Sequence, residues 1–168
     1  MSEPADPPIG PLADDDLLIL RPPGRLAYRH RHDAVLARPM TALEVVNAMT
    51  ARPMPVVALA FRLRDALVRP FGLAPMGGFS GTRFEAAAPG DRLDFLTVVD
   101  ARPDRLTLAL RDRHLVALIC VRVAGHDLTV LTSVAASNLL GRLYMIPVAP
   151  AHGIILRRML RPPLSRPA

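Results

Sequence analysis

The chain contains no lysine, and all 21 of its basic residues are arginine. Lysine is the residue that forms Schiff bases, serves as an amine general base and binds phosphate in phosphate-binding loops. Its absence excludes these three kinds of chemistry. The sequence also contains no dinucleotide-binding fingerprint. We therefore expect the protein to use no cofactor.

Aromatic side chains are scarce as well, with five Phe, two Tyr and no Trp. Few rings are available to stack on bases, which is how proteins commonly bind single-stranded nucleic acid. The net charge of +6 would suit an anionic partner. However, the arginines are interspersed with aspartates, as in Arg111-Asp112-Arg113, and form no basic block. The pattern favours a solvated charged surface over nucleic-acid binding.

The single cysteine, Cys120, excludes an intramolecular disulfide and a zinc site made of several cysteines. It lies in the apolar run Leu115–Val121, which predicts a buried and unreactive thiol. No uncharged apolar run approaches the roughly 20 residues that cross a bilayer. The acidic, Pro-rich N-terminus is unlike a signal peptide. We expect a cytoplasmic protein.

A length of 168 residues suits one domain. Residues 1–16 and 162–168 are Pro-rich and lack hydrophobic periodicity, so we expect disordered tails there and a single domain at 17–161. Within it, Arg25–Arg38 alternates with a period of two, which predicts a strand. Thr41 and Glu44 form a capping box that predicts a helix to Thr50. A second helix is predicted from Pro53 to Val68, with a core stripe of Val56, Leu59, Leu63 and Leu67.

The period of two returns after the loop Met76–Thr82. It predicts antiparallel strands joined by short turns, near Arg83–Ala88, Arg92–Ala101, Arg105–Arg111, Leu115–Ala124 and Leu128–Ser137. The apolar stretch Asn138–Arg161 then predicts a long terminal helix, capped by Asn138 and kinked or broken by its two prolines. We expect its inward residues to include Leu143, Ile146 and Ile154.

These elements predict an α+β fold, in which a curved antiparallel sheet carries an N-terminal helix pair and a long C-terminal helix. The first strand would reach the sheet edge through the helix pair, and the terminal helix would cover the concave face. This order resembles the helix-grip architecture of START and Bet v 1-like proteins, which implies an apolar cavity between sheet and helix. A sheet with its helices packed on one face would give the same order.

Short motifs carry a second resemblance. They are Gly141-Arg142-Leu143-Tyr144-Met145, Pro150-Ala151-His152, Arg157-Arg158-Met159-Leu160, Asp112-Arg113-His114-Leu115, Leu63-Arg64-Asp65 and Phe71-Gly72-Leu73. These motifs are similar to those of an uncharacterised bacterial family, domain of unknown function number 2867, and the match spans about residues 28–161. Members of this family usually have Phe and Arg where this chain has Ala151 and Gly153. The resemblance supports the fold and implies no particular activity.

Several polar side chains are candidates for lining the predicted cavity. His30 and His32 lie on one face of the first predicted strand and could both reach one metal ion. Two ligands do not make a metal site, so we predict polar lining of a groove and no metal. His titrates nearest neutral pH, which also allows an acid or base role. The candidate ligand-binding residues are Tyr28, His30, His32, His114, Tyr144 and His152.

Three functions are compatible with these residues. The first is binding of a small, mainly apolar molecule between the sheet and the terminal helix. The second is a cofactor-free enzyme, such as a cyclase, isomerase or hydrolase, that uses a cavity histidine as general base. The third is an interaction module that contacts an anionic surface, such as a membrane, through Arg157, Arg158 and Arg161. The sequence does not decide between binding and catalysis or identify the ligand and the oligomeric state.

Overall fold

The computed structural model describes residues 7–12, 15–51, 55, 58–59, 62, 65–66, 69, 78–112, 114–160 and 164. These residues form an α+β fold with a large antiparallel sheet and a long C-terminal helix, as predicted. Most of the second predicted helix, Pro53 to Val68, lies outside the described residues. Leu59, which we expected in its core stripe, is 57% exposed.

The large sheet has six strands in the order β3-β8-β7-β6-β5-β4, with antiparallel neighbours throughout. The first of these strands along the chain, β3, therefore lies at the sheet edge beside the last strand, β8, as predicted. Strands β6 and β7 have the predicted bounds. The strands are β3 Tyr28–Val35, β4 Arg92–Leu93, β5 Leu96–Ala101, β6 Arg105–Arg111, β7 Leu115–Ala124 and β8 Asp127–Ala136.

A separate hairpin of β1 (Ile9–Leu12) and β2 (Asp15–Leu20) covers one face of this sheet, over β7 and β8. Leu17 and Ile19 are fully buried against Cys120 and Leu131. The expectation of a disordered tail at residues 1–16 is thus wrong for Ile9–Leu12. Proline is tolerated in an edge strand, and both strands of a two-stranded hairpin are edge strands. The burial of the apolar residues of β2 holds the hairpin on the sheet.

The C-terminal tail also contributes to the core at one described position. Leu164 lies in the segment that we expected to be disordered, yet only 8% of it is exposed and it belongs to the main hydrophobic cluster. Its carbonyl oxygen accepts a hydrogen bond from the Ala37 amide at 3.1 Å. The neighbouring residues 161–163 and 165–168 lie outside the described part of the chain.

The predicted strand Arg83–Ala88 is wrong, because this segment has no ladder partner. The backbone of Phe84 is satisfied instead by the amide side chain of Asn47. Asn47 Nδ2 donates to the Phe84 carbonyl at 2.8 Å, and the Phe84 amide donates to Asn47 Oδ1 at 2.9 Å. An Asn side chain thereby takes the place of a neighbouring strand, an interaction that local periodicity does not reveal.

The predicted strand Arg92–Ala101 is two strands, β4 and β5, joined by a tight turn. Leu93 pairs with Leu96, so only Asp94 and Phe95 lie between the paired residues. Asp94 has a φ of 57°, a conformation that Asp tolerates better than most side chains. Apolar residues lie on both sides of this turn and no Gly or Pro interrupts them, which is why the sequence predicts one strand.

Helix α1 (Ala42–Thr50) confirms the predicted capping box. The Glu44 amide donates to Thr41 Oγ1 at 3.2 Å, and the Thr41 amide donates to Glu44 Oε2 at 2.7 Å. Two amides at the helix start are therefore satisfied by side chains. The helix packs on β6 and β7, and Val45 and Val46 lie in the main core.

Helix α2 (Leu139–Met159) follows β8 and lies over β3 and β8. The predicted cap is confirmed, since Asn138 Oδ1 accepts a hydrogen bond from the Gly141 amide at 2.9 Å. The predicted inward residues are wrong, because Leu143, Ile146 and Ile154 are exposed. Among the described side chains, Met145 and Leu156 of α2 are buried, as is Leu160 directly after the helix. None of the described helices has the length and apolar character needed to cross a membrane.

Two glycines of α2 differ in the space around them, which predicts opposite effects of the same substitution. An added Cβ at Gly141 would lie 2.3 Å from the His114 carbonyl oxygen, a backbone atom that cannot move aside. We expect Gly141→Ala to lower the free energy of unfolding by about 1–3 kcal/mol. At Gly153 the nearest atoms would be 3.8 Å away. We expect Gly153→Ala to raise the free energy of unfolding by up to about 1 kcal/mol, because Ala has a higher helix propensity than Gly.

Urea unfolding of both variants at neutral pH measures this difference, and each variant serves as the other's control. Equal midpoints would show that α2 does not approach the start of β7 as closely as described.

Candidate functional site

Four aromatic and imidazole rings meet between β3 and α2. The alternation of β3 directs Tyr28, His30 and His32 toward the helix, which contributes His152 from its second half. The Tyr28 and His152 ring centroids are 5.7 Å apart, and those of His30 and His152 are 6.4 Å apart, both edge-to-face. His30 is stacked between Tyr28 and His32, at 6.1 and 6.4 Å. We call Tyr28, His30, His32 and His152 the ring cluster.

Three polar atoms at the ring cluster are buried without a hydrogen-bond partner among the described residues: His30 Nε2, His152 Nδ1 and Thr132 Oγ1. Thr132 is the residue of β8 directly opposite His30. A buried polar atom that forms no hydrogen bond costs about 1–3 kcal/mol, so such atoms are rare. Their concentration at one place indicates a site that can bind a polar group.

Gly153 determines how closely α2 approaches this site. A Cβ at this position would lie 3.8 Å from Cε1 and 3.9 Å from Nε2 of His30. The helix backbone therefore lies beside the His30 ring, with no side chain between them. A long side chain such as Arg at position 153 would contact or displace that ring.

Burial favours the uncharged forms of Tyr28, His32 and His152. Desolvation, followed by repulsion from His30, lowers the pKa of His152 to about 4. The pKa of His32 is lowered by desolvation and by the neighbouring His30 and Arg157, against the opposing effect of Asp33. Burial raises the pKa of Tyr28. At neutral pH, His152 is therefore an uncharged imidazole with one donor and one acceptor nitrogen.

The lowered pKa of His152 predicts how stability changes with pH. The unfolded chain binds a proton at His152 below about pH 6.5, whereas the folded protein binds it only near pH 4. Stability from this residue is therefore complete above pH 6.5 and is lost as the pH falls toward 4, by about 3 kcal/mol in total.

Urea unfolding at a series of pH values between 4 and 7 tests this expectation. In His152→Leu, the contribution of this residue to the pH dependence should disappear. An unchanged pH dependence in that variant would contradict the expected titration of His152.

The remaining predicted site residues are His114 and Tyr144. His114 precedes β7 at the N-terminal end of α2, where its Nδ1 lies 2.6 Å from Nδ2 of Asn138 and its carbonyl oxygen accepts from the Ser137 amide. His114 therefore fixes the start of α2. Tyr144 lies within α2, but its side chain is outside what the structure describes. The predicted convergence of His114 with Tyr28, His30 and His32 is wrong.

The described residues contain no group of three or more His, Cys, Asp or Glu side chains positioned to hold a metal ion. The His30 and His32 rings are stacked, with centroids 6.4 Å apart and an interplanar angle of 20°. The arrangement suits hydrogen bonding better than coordination.

An open cleft of about 660 Å³ lies at the end of the sheet, before β3 and beside the first turn of α2. Sequence patterns did not reveal it, because its residues come from three separate segments. Sequence patterns also did not identify Thr132 as a site residue, because its sequence context shows only a hydroxyl side chain within a largely apolar strand. The cleft is lined by Gly24, Arg25, Leu26, Ala27, Ala136 and Arg142.

Comparisons with known proteins identify a family. The chain shows similarity to the crystal structure of hypothetical protein jhp0584 from Helicobacter pylori, with 12% sequence identity and a TM-score of 0.39, over 82% of this chain and 88% of that one. No curated protein matches the chain. A family model described as "Protein of unknown function (DUF2867)" matches residues 23–159, which is most of the sequence. The protein therefore belongs to the DUF2867 family.

Proposed function

We propose that this protein binds a small, mainly apolar molecule between the sheet and α2. The proposed arrangement is of the helix-grip kind, in which the terminal helix and the sheet face enclose the ligand. The molecule would place a polar group against the ring cluster and its apolar part along the neighbouring hydrophobic side chains. These include Leu115, Val134, Met145, Val148 and Ala149.

The observation that carries this proposal is the set of unpartnered buried atoms, His30 Nε2, Thr132 Oγ1 and His152 Nδ1. One ligand oxygen that both donates and accepts, or a carbonyl beside a donor, would give these atoms hydrogen bonds. Because His152 is uncharged at neutral pH, it offers no electrostatic attraction for an anion. The polar group is therefore expected to be neutral, such as a hydroxyl, ketone or amide.

The same observations support binding over general-base catalysis. A base works best when its pKa lies near the working pH, and the pKa of His152 is about 4. Catalytic histidines are also commonly oriented by a carboxylate, and no carboxylate forms a hydrogen bond with His30 or His152 within the described residues. A general-base role for His152 lacks both of these features.

Nile red is a suitable probe, since it is neutral and apolar and has a carbonyl acceptor. We expect saturable fluorescence enhancement with one site per chain, and native mass spectrometry of freshly purified protein should show a retained small molecule. His30→Leu with His152→Leu keeps apolar volume but removes two of the unpartnered atoms. Loss of these hydrogen bonds should weaken Nile red binding by roughly tenfold or more.

His126→Leu is the matched control, because His126 lies outside the ring cluster and its Nδ1 contacts the Leu36 carbonyl. Ile146→Ser tests whether the dye binds the exposed side of α2 instead. The proposal fails if no saturable binding occurs, or if the control weakens binding as much as the double variant does.

A further inference from the structure

Helix α2 has a second apolar face, which points away from the protein. The exposed fractions are 72% for Leu139, 53% for Leu143, 69% for Ile146 and 46% for Ile154. Together with exposed Pro150, these residues recur every three or four positions, so they form one stripe along the helix. We call Leu139, Leu143, Ile146, Pro150 and Ile154 the outer stripe. Single exposed apolar residues are common, but a continuous row indicates an interaction surface.

The outer stripe is bordered by cations and by no acids. Arg142, Arg157 and Arg158 are all exposed on the same helix, and α2 contains no Asp or Glu. Residues 128–168 hold five of the 21 arginines and none of the 15 acidic residues. The remainder of the chain is therefore close to electrical neutrality, and the net positive charge resides in the segment that carries the stripe.

We propose that the outer stripe binds the surface of an anionic lipid bilayer, with α2 lying in the plane of the interface. The apolar side chains would enter the boundary between headgroups and acyl chains, and the arginines would contact lipid phosphates. An Arg side chain suits this position because its apolar stem can lie along the acyl boundary while the guanidinium stays at the headgroups.

The charge distribution favours lipid over a second copy of the chain. A symmetric contact through the outer stripe would bring the arginines of both copies together with no acid from α2 to pair them. A bilayer with anionic headgroups supplies the opposite charge and an apolar phase at once. The apolar residues of the outer stripe are separate from the ring cluster, which lies on the inner side of α2, whereas Arg157 also acts on His32 of that cluster.

Vesicle flotation tests the proposal with the full chain. Vesicles of phosphatidylcholine alone are compared with vesicles in which a third of the lipid is phosphatidylglycerol. We expect binding to the anionic vesicles at low salt and a large loss at about 0.5 M salt, where screening acts within a few ångströms. Arg157→Gln with Arg158→Gln should weaken binding roughly 30-fold. Ile146→Ser should weaken it by a similar factor.

Matched controls are Arg83→Gln with Arg92→Gln, and Val35→Ser, since these residues are exposed but lie outside α2. The controls should bind anionic vesicles as the unmodified protein does, and all variants should unfold at nearly the same urea midpoint. Absence of binding at low salt overturns the proposal, as does equal binding by the α2 variants and the controls. If the protein does not bind vesicles but forms concentration-dependent dimers, and Ile146→Ser abolishes these dimers, the outer stripe binds a second copy of the chain and the lipid proposal is wrong. Nile red binding at the ring cluster is measured without vesicles, so either proposal can fail alone.

Discussion

Leu156→Ala is expected to lower the free energy of unfolding by about 2–5 kcal/mol. Leu156 is 5% exposed and belongs to the main core, where residues of α1, β5, β6, β7 and β8 also pack. Truncation removes buried methyl groups and leaves a cavity that the surrounding strands cannot fully close. The loss would be a large share of the roughly 5–15 kcal/mol that stabilises a typical domain.

Leu143→Ala is the matched control, because it makes the same change on the same helix at an exposed position. We expect a change of about 0.5 kcal/mol or less. Urea unfolding of both variants, followed by circular dichroism, measures the difference. If Leu143→Ala proved the more destabilising of the two, α2 would face the sheet with the opposite side and the outer stripe would not exist.

Deletion of residues 1–20 is expected to have the largest effect on stability. It removes Leu17, Ile19 and Leu20, all fully buried, and uncovers Cys120 and Leu131. Each of these side chains contributes about 1.5–3 kcal/mol by burial, so the deletion should cost roughly 5 kcal/mol or more. The hydrogen bond from the Leu20 amide to Ser133 Oγ would be lost as well.

Cys120 reports directly on this effect. Its thiol is fully buried, contacts the Leu18 amide and Thr107 Oγ1 at 3.4 Å each, and has a pKa raised chiefly by burial. We expect slow reaction with a disulfide reagent in the intact chain and fast reaction after the deletion. Removal of residues 1–6 alone, which keeps both strands of the hairpin, is the control. Equal reaction rates in all three proteins would show that the hairpin does not cover this face.

The sequence predicted well those elements whose signals are local. The alternation in Arg105–Arg111 and in Leu115–Ala124 gave the bounds of β6 and β7, and the Thr41–Glu44 capping box gave the start of α1. These signals depend on residues a few positions apart, whose geometry the backbone itself imposes. The family resemblance is likewise carried by short motifs, and the family match confirms it.

The ring cluster was predictable in part. The period of two in β3 is sufficient to place Tyr28, His30 and His32 on one face. The position at which α2 crosses the sheet determines that His152, and not His114, lies beside these three residues. That Thr132 lies opposite His30 depends on the register of β3 with β8. Both are long-range pairings, which local periodicity does not encode.

Sequence alone determined the elements with a local signal, the caps of both helices and the concentration of positive charge after residue 127. Tertiary structure decided which side of α2 faces the sheet. This helix has apolar residues all around, so no polar face marks the outside and Leu143 and Leu156 are equivalent by pattern. The observed rotation brings the helix backbone close to its neighbours at Gly141 and Gly153 and buries Met145 and Leu156. The tertiary structure also decided that β1 and β2 cover a face of the large sheet, since the leucines of β2 are buried against β7 and β8 only when those strands are paired.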